Sequence, residues 1–598
     1  MTGAPPDTPR ALARDLWIAG GFALGVMAVM LVLFGPAIQT MAFRDADDAL
    51  RFVQVRDLLG GQGWFDASQH RINPPAGGLM HWSRLIDAQI AGLILLLQPV
   101  LGKAAAEQWA IALYPPLLLL PLFLCLALVL RRLSDDRAVV AAGLLIAATT
   151  VTFLHYFVPL RIDHHNWQTI LSVAMLAIAL GAPDRRHGML AAAVMILHLA
   201  ISLEAVPYLL IFGGIFALAW LRDAAAGPRL FAFVASLALG APLLLLATRG
   251  WDGVAGDWCD AWSRPYLSAA AVAAALLLAG ARLGVVQRDW RARLALLAVA
   301  GGVGALVFAW ISPACLAGPF GTLEPLVRDF WYLNVLEGRP VWRQGAPKIA
   351  LLVAPSLAGL ALTFAIWRRA APGPAKARWE VMLLVLGASV LLSLLVVRTV
   401  AVTHIYALPA LAATGVALWR HGQSRATAPA RIAASLAVLL VLPVVLGQVA
   451  MSAVAAIAPA EPTDPATLAP CPTPADLAVL ARQTPGLVMS GVDIGPTILV
   501  RTSHSVVATA HHRNHAAINR VISAFAAAPD DAATIVAASR ADYLFVCSGQ
   551  HEMQNIAQSF PGGLADRLAR HAPPAWLEPV PLPDGSVAAL YRVRLAGK

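Results

Sequence analysis

Long apolar runs recur along the first 457 residues of this chain, and no other sequence feature limits its fold as strongly. Each run covers about 17–25 residues, the length that an α-helix needs to cross the hydrocarbon core of a bilayer. Only 13% of the 598 residues are charged, whereas a soluble protein of this size carries about a quarter. The pattern excludes a soluble globular protein and predicts a mainly α, polytopic membrane protein.

The apolar runs fit about thirteen membrane-spanning helices. The first run is too long for a signal-peptide core, so we interpret it as an uncleaved span with a cytoplasmic N-terminus. With this count the strongly basic short loops all face the cytoplasm, as the positive-inside rule requires, and the net charge of +10 does not indicate nucleic-acid binding. The predicted spans are 16–38, 108–130, 138–155, 167–182, 188–203, 205–221, 229–248, 266–283, 293–311, 348–367, 379–397, 401–419 and 431–457.

One apolar segment, 86–101, does not fit this count, because a further span here would invert every basic loop that follows it. We therefore expect it to form an interfacial or re-entrant helix within a long first periplasmic loop, 39–107. Together with the spans, this loop defines a predicted transmembrane domain, 1–459.

Residues 460–598 lack a spanning run and alternate short β-like runs with helical stretches. The β-like runs are 486–490, 498–500, 506–508, 543–546 and 587–591. Such alternation predicts a soluble α/β domain. An odd number of spans and a cytoplasmic N-terminus place this domain in the periplasm.

The cysteines agree with this orientation. Cys259 and Cys315 lie in predicted external loops, Cys471 and Cys547 lie in the external domain, and Cys125 lies inside a span. An oxidising compartment favours two disulfides, Cys259–Cys315 and Cys471–Cys547, and one buried thiol. Four unpaired cysteines are the alternative, since a sequence gives no distances.

The first external loop begins with three acids, Asp45, Asp47 and Asp48, directly after a span. Asp47 or Asp48 suits metal binding or the orientation of an acceptor nucleophile. Alternatively, one of these acids caps the next helix and pairs with Arg44 or Arg51.

A second polar group, Asp163-His-His165, lies between the third and fourth predicted spans. Asp163 and His165 are close enough to bind one divalent cation. Oxygen ligands suit Mg²⁺ or Mn²⁺, and an added imidazole favours Mn²⁺. The alternative is a helix cap or a polar surface.

Four further charged or polar residues join these candidates. Glu337, in a later external loop, either reaches the metal or acceptor or pairs with Arg339. Arg398, at the outer end of the eleventh span, suits a lipid phosphate or else snorkels at a span end. His404 and Arg161 are further phosphate candidates.

Two features of the sequence leave functional and structural interpretations open. Glu204, if it lies within the membrane, is either functional or part of a structural pair. A histidine-rich segment contains His504, His511, His512 and His515, which suggests a zinc site or, as strand alternation favours, a polar face near the active site.

The order and sidedness of these residues resemble the GT-C superfamily of polyprenyl-phosphate-dependent glycosyltransferases, and most of all the catalytic subunit of oligosaccharyltransferase. Asp47, with Asp48 adjacent, occupies the place of the family's first-loop Asp. Asp163-His-His165 matches its Asp-x-Asp or Asp-x-His motif. Asn334-Val-Leu-Glu337 resembles its Ser/Thr-Val-x-Glu motif with Asn replacing the hydroxyl residue, and Arg398 corresponds to its arginine near the eleventh span.

The resemblance implies an inverting glycosyltransferase of a bacterial inner membrane, with a sugar donor linked to polyprenyl phosphate or pyrophosphate. A divalent cation held by Asp47 or Asp48 with Asp163 and His165 would neutralise the leaving phosphate. Glu337 and the other first-loop acid would orient the acceptor, and Arg398 would bind the phosphate.

The Trp-Trp-Asp-Tyr-Gly motif of oligosaccharyltransferases is absent, and the nearest sequence is Gly491-Val-Asp-Ile-Gly495. The acceptor therefore stays open between a glycan, a lipid and a protein. Two non-catalytic alternatives are a transporter or flippase for lipid-linked sugar or polysaccharide, and an assembly partner that has lost catalysis.

Overall fold

A computed structural model describes residues 9–457 and 471–595, which are mainly helical. The first helices are α1 Pro9–Leu33, α2 Gly35–Thr40, α3 Ala46–Leu59, α4 Arg84–Leu101, α5 Lys103–Leu117, α6 Leu119–Leu133, α7 Arg137–Thr149, α8 Val151–Leu154, α9 His165–Ala179, α10 Arg185–Ile201, α11 Val206–Arg222, α12 Gly227–Ala255, α13 Arg264–Gly280, α14 Gly284–Arg288 and α15 Trp290–Ile311. The others are α16 Pro325–Phe330, α17 Ala346–Arg369, α18 Pro374–Leu395, α19 Val400–Gln423, α20 Ala428–Ala437, α21 Pro443–Ala455, α22 Pro474–Ala481, α23 Gly495–Arg501, α24 His515–Ala526, α25 Pro529–Ala538, α26 His551–Ser559 and α27 Leu564–Ala569.

Short 3₁₀ helices and strands complete the secondary structure. The 3₁₀ helices are Leu203–Ala205, Ala224–Ala226, Pro313–Ala317, Tyr332–Asn334, Leu336–Gly338, Val341–Arg343, Val397–Thr399, Val438–Val441 and His512–Asn514. The strands are β1 Ser68–Gln69, β2 Gly78–Leu79, β3 Leu487–Ser490, β4 Ser505–Val506, β5 Tyr543–Val546, β6 Leu577–Val580 and β7 Ala589–Val593.

Nine helical segments within the described ranges are long and apolar enough to cross a membrane, which makes this a multi-pass membrane protein. A bent pair, Ala428–Val441 with Pro443–Ala455, would add a tenth span despite its 88° bend. The nine are Ala11–Leu33, Arg84–Leu101, Lys103–Leu133, Leu203–Arg222, Ala224–Ala255, Trp290–Ile311, Ala346–Arg369, Pro374–Leu395 and Val397–Gln423.

The segments predicted as spans at 138–155, 167–182, 188–203 and 266–283 are helical but short. Their helices α7, α9, α10 and α13 contain 13, 15, 17 and 17 residues. The segment 86–101, predicted to lie at the interface, is helical throughout and belongs to one of the nine apolar segments. The total of about thirteen spans therefore stays a prediction.

Side chains satisfy the free backbone groups at the ends of these helices. Asp136 and Asp184 cap α7 and α10 by accepting hydrogen bonds from backbone amides. At the opposite end of a helix, Arg229 donates to the carbonyl of Ala179, the last residue of α9, over 3.1 Å. Such contacts satisfy carbonyls that have no partner within the helix.

The chain divides into two compact units. The first comprises the described residues up to Ala42, Leu93–Leu316 and the described residues from Leu336 to 457, and it is helical. The second comprises Phe43–Gly92, Ala317–Val335 and the described residues from 471 onward, and it contains every strand of the described ranges. The predicted domain boundary at 459–460 lies outside the described residues.

The second unit is built on a five-stranded mixed sheet with the order β4-β3-β5-β7-β6. β3 is parallel to both β4 and β5, with Val488 opposite Tyr543. β7 runs antiparallel to β5 and β6. The α/β character predicted from the sequence is thus present. The run 498–500 was wrongly predicted as β-like: it lies in α23, where Pro496 occupies the first turn.

Alternate residues of the strands face two different cores. Met489 and Leu544 belong to a cluster with α24 residues, whereas Val488 and Phe545 face a second cluster. The second cluster includes Leu50 of α3, although that helix is more than 400 residues earlier in the chain. The first-loop segment 43–92 is therefore part of this unit's core.

Both predicted disulfides are present, Cys259–Cys315 in the first unit and Cys471–Cys547 in the second. Cys125 is a free, partly buried cysteine of α6.

A buried ion pair holds the first-loop segment together. The Asp87 carboxylate lies 3.0 Å from an Arg51 nitrogen and 3.2 Å from an Arg84 nitrogen, and all three side chains are at most 1% exposed. The Arg51 guanidinium also lies over the Trp82 ring at 4.5 Å. Because the two cations share one carboxylate, its removal leaves both of them buried without that counter-charge.

We expect Asp87→Ala to lower the free energy of unfolding of the second unit by about 3–5 kcal/mol, the usual cost of breaking a buried ion pair. Thermal unfolding of the full chain in detergent measures the effect. Asp531→Ala, on the exposed face of α25, is the matched control and should change stability by less than about 0.5 kcal/mol. Equal melting temperatures for both variants would contradict the prediction.

Candidate functional site

The segment between α8 and α9 places three ligand-type side chains at the start of a helix in the first unit. Asp163 and His164 precede α9, and His165 is its first residue. The turn before them contains Leu160 with φ of 71°, a left-handed conformation that is unusual for a branched side chain. The Leu160 amide donates to the Ile111 carbonyl over 3.1 Å, which anchors this turn on α5.

Asp163, His164 and His165 form a compact cluster. His164 Nδ1 lies 2.6 Å from Asp163 Oδ1, and His165 Nε2 lies 3.3 Å from Asp163 Oδ2. One ligand atom from each residue lies within 4.8 Å of the other two, and the three residues are 2–7% exposed. A carboxylate and two imidazoles at these distances are suited to one divalent cation.

His164 is a candidate ligand that the predicted metal set did not include. Burial lowers the pKa of His164 below its ordinary value, although the Asp163 carboxylate opposes this shift. The ring is therefore held in the neutral form that a metal requires. Its position between Asp163 and His165 is the only signal that the sequence gives.

Hydrogen bonds connect this cluster to Arg398. Gln168, one turn into α9, accepts at Oε1 from His165 Nδ1 over 2.8 Å and donates from Nε2 to Glu204 Oε2 over 3.0 Å. Arg398 then donates to Glu204 Oε1 over 2.7 Å. Gln168 was not among the site residues predicted from the sequence. Its spacing of three residues from His165 on one helix face is the pattern that could have indicated it.

Arg398 lies between two glutamates of the first unit. A terminal nitrogen of Arg398 lies 3.4 Å from Glu337 Oε1, a longer contact than the one to Glu204. Gly338 allows this approach, because a Cβ there would lie 3.0 Å from the guanidinium. Glu337 and Arg398, predicted from separate loops, are therefore brought together.

Two of the predicted phosphate ligands have other contacts. His404, 1% exposed within α19, contacts the Thr152 hydroxyl at 2.7 Å and the Leu352 carbonyl at 2.9 Å, one with each ring nitrogen. Arg161 is 9% exposed and lies 6.0 Å from the centre of the Tyr156 ring. The phosphate roles of both residues stay predictions.

The first-loop acids belong to the second unit. Asp45 is the N-cap of α3 and accepts from the Asp47 amide over 3.0 Å, so the capping alternative holds for this residue. Asp48 is fully buried within α3. The metal-binding and acceptor-orienting roles of Asp47 and Asp48 stay predictions.

A further carboxyl group of the second unit lies against the segment Gly491-Val-Asp-Ile-Gly495. Glu552 Oε1 accepts from the Val492 amide over 3.1 Å, and Oε2 is buried with no hydrogen-bond partner within the described ranges. A Cβ at Gly491 would lie 2.7 Å from Oε2, so a larger residue there would require the Glu552 side chain to move. Burial, and then the charge of Asp493, raise the pKa of Glu552 to about 8.

No protein-family model and no curated protein matches this sequence. Solved structures do match. The archaeal oligosaccharyltransferase AglB from Archaeoglobus fulgidus, in complex with an inhibitory peptide and a dolichol-phosphate, aligns with a TM-score of 0.61 at 15% identity, over 93% of this chain and 72% of its own.

Two other A. fulgidus oligosaccharyltransferase structures agree. One, tethered with an acceptor peptide containing the NVT sequon, aligns with a TM-score of 0.60 at 15% identity, over 91% of this chain and 72% of its own. The other, in complex with Zn and sulfate, gives 0.56 at 14% identity, over 91% and 70%. The resemblance to GT-C oligosaccharyltransferase is thus confirmed for the fold.

The pKa of Glu552 predicts a pH-dependent stability. Between about pH 4.5 and 8 the unfolded chain releases this proton while the folded protein keeps it, so the contribution of Glu552 to stability falls as the pH rises. We expect Glu552→Gln to remove this loss and to melt at a higher temperature than the wild type at pH 8.

Melting temperatures from pH 5 to 8.5 measure the difference between the two proteins. Glu578→Gln is the control, because Glu578 is exposed and pairs with Arg594 over 2.8 Å. If the difference in melting temperature between wild type and Glu552→Gln does not change with pH, the prediction of a raised pKa for Glu552 is contradicted.

Proposed function

We propose that this chain is an integral membrane glycosyltransferase that transfers a sugar or oligosaccharide from a polyprenyl phosphate or pyrophosphate to an acceptor. The proposal depends above all on one observation. Within the first unit, the buried Asp163–His164–His165 cluster is connected through Gln168 and Glu204 to Arg398. A cation site and a guanidinium held by one network suit a phosphate group that leaves with negative charge.

The contacts of Arg398 suggest how a phosphate would be bound. The Glu204 carboxylate contacts the guanidinium at 2.7 Å, whereas Glu337 lies farther away at 3.4 Å. A phosphate oxygen would replace the weaker Glu337 contact, since charge-assisted bonds to phosphate are strong. Glu337 would then be available to orient the acceptor.

The reaction transfers the anomeric carbon of the sugar from a phosphate oxygen of the donor to the acceptor atom. The bond between the anomeric carbon and the phosphate oxygen breaks, and a bond to the acceptor forms on the opposite face, with inversion. A carboxylate, with Glu337 as the candidate, takes the acceptor proton. A divalent cation, Mn²⁺ or Mg²⁺, would supply Lewis-acid stabilisation of the leaving phosphate, and Asp163, His164 and His165 are the residues of the first unit that would hold it.

The membrane topology belongs to the same proposal. About thirteen spans with a cytoplasmic N-terminus would place the transmembrane domain, 1–459, in a bacterial inner membrane and the α/β domain, 460–598, in the periplasm. The oligosaccharyltransferase neighbours, solved with a dolichol-phosphate and with an acceptor peptide, support a lipid-phosphate donor. The acceptor is left as a glycan, a lipid or a protein.

A transporter of lipid-linked sugar or polysaccharide is the second candidate function. The position of the polar residues along their helices favours the enzyme. Asp163 and His164 precede α9, Glu204 lies in the 3₁₀ turn before α11, and Arg398 lies in the turn between α18 and α19. Transporter sites are usually at mid-membrane depth, within interrupted helices.

We expect Asp163→Ala and Arg398→Ala each to lower sugar transfer by about 100-fold or more, as loss of a charge-stabilising group does in other enzymes. The assay measures transfer in detergent from membrane lipid extracts to endogenous acceptors, and lipid-linked intermediates that accumulate in a deletion strain identify the donor. Unchanged transfer in both variants would contradict the proposed site.

A matched pair of glutamates tests the network separately. Glu204→Gln should reduce transfer, because it weakens the anchor of Arg398, whereas Glu380→Gln, at an ion pair with Arg222 in the same unit, should not.

EDTA should abolish transfer if the cation is required. Movement of lipid-linked sugar across vesicles without transfer would support the transporter instead.

A further inference from the structure

Three histidine side chains of the second unit lie close together. His81 follows β2 in the first-loop segment, and His511 and His512 follow β4. Their ring centres lie 5.0 Å apart for His81–His511, 4.8 Å for His81–His512 and 4.9 Å for His511–His512. The sequence separation of His81 from the other two is more than 400 residues.

The ligand atoms of these rings are close enough for one metal ion. His81 Nδ1 lies 2.8 Å from His511 Nε2, and one nitrogen from each of the three rings lies within 4.8 Å of the other two. Tetrahedral zinc, with bonds of about 2.0–2.1 Å, separates its ligand nitrogens by about 3.4 Å. Small rotations of the rings would therefore give this geometry.

Two aromatic rings, those of Trp82 and Phe320, border the cluster. His511 is 3% exposed and meets the edge of Trp82 at 5.6 Å, and His512 meets the edge of Phe320 at 5.1 Å. His81 and His512 are half-buried, so solvent reaches part of the cluster. A half-open site with three imidazoles resembles the ligand set of sites that keep one exchangeable position.

The other two histidines of the segment have structural contacts. His504 is fully buried and contacts the Leu480 carbonyl at 2.9 Å, and His515 lies 2.7 Å from a Glu324 oxygen. Of the four histidines in this segment, His511 and His512 therefore belong to the cluster, whereas His504 and His515 have the other contacts just described. The third member of the cluster comes from the first loop.

We propose that His81, His511 and His512 bind a borderline transition-metal ion, with Zn²⁺ as the physiological candidate. Imidazole ligands suit Zn²⁺, Cu²⁺, Ni²⁺ and Co²⁺, whereas Mg²⁺ and Ca²⁺ require oxygen ligands. The ion would tie the first-loop segment to the C-terminal segment. Backbone hydrogen bonds already join these two segments: the Asn73 amide donates to the Val506 carbonyl over 2.8 Å, and the Val506 amide to the Arg71 carbonyl over 2.9 Å.

This site differs from the Asp163 cluster in its ligands and in the unit that contains it. A hydrogen-bonded pair of His81 and His511 is the structural alternative. The proposal does not depend on the transferase function, since Zn²⁺ binding is measured without sugar transfer.

The test uses the full chain in detergent, stripped of metal by a chelator and carrying Asp163→Ala and His165→Ala to remove the other cluster. Titration with Zn²⁺ against a chromophoric chelator should show about one tight site. Co²⁺ should give visible d–d absorption. Adding His81→Gln or His512→Gln should weaken binding by at least about 100-fold, because loss of a group that merely supports a ligand already costs about 10–100-fold.

His551→Gln is the matched control, since His551 is an exposed histidine of the same unit. Zn²⁺ should raise the melting temperature of this control protein but not of the two cluster variants, whose metal-free melting temperatures report correct folding. Absence of a tight site in the parent protein, or a Zn²⁺ affinity in both cluster variants equal to that of the parent protein, would overturn the proposal.

Discussion

A charged group inside an apolar protein is stable only when another group compensates its charge, and this constraint accounts for the main polar contacts of this chain. Asp15 of α1 pairs with Arg131 of α6. Asp87 holds two buried guanidiniums, and Glu204 binds Arg398. Apart from Arg84 and Asp87, which both belong to α4, the partners come from separate elements, so charge compensation also contributes to how those elements pack. In the candidate site the Asp163 carboxylate is compensated by two imidazoles, His164 at 2.6 Å and His165 at 3.3 Å.

The apolar helices and most strands could be predicted because their signals are local. The runs at 486–490 and 543–546 are strands, whereas 498–500 is helical. Three apolar residues fit either the helical or the strand period, and the deciding residue is Pro496 in the first turn of α23. That segment 43–92 and the C-terminal residues form one unit could not be predicted. It depends on contacts between residues far apart in the chain, such as the packing of Leu50 in the core around β3 and β5.

The candidate site shows the same division between local and distant information. Asp163 and His165 were predicted as cation ligands from their spacing together with their position at the end of a span, and the structure places them side by side, 3.3 Å apart, while the metal role itself stays a prediction. Glu204 was left between a functional and a structural role, and the structure places it in a pair with Arg398 that is also part of the network leading to His165. That link depends on Gln168, whose amide accepts from His165 and donates to Glu204. A glutamine in a sequence does not by itself indicate a functional residue. For His404 the position could be predicted but the contacts could not, because its ring nitrogens contact Thr152 and Leu352 from other helices; its phosphate role stays a prediction.

The segment Gly491-Val-Asp-Ile-Gly495 bears on the acceptor. Val492 and Ile494 are each 1% exposed and belong to the two cores on opposite sides of the sheet, while Gly491 lies against Glu552. Only the Asp493 side chain is exposed. A site that grips a hydroxyl-bearing peptide residue with tryptophans needs exposed aromatic surface, which this segment does not present. This agrees with the absence of the Trp-Trp-Asp-Tyr-Gly motif from the sequence, and the acceptor therefore stays open between a glycan, a lipid and a protein.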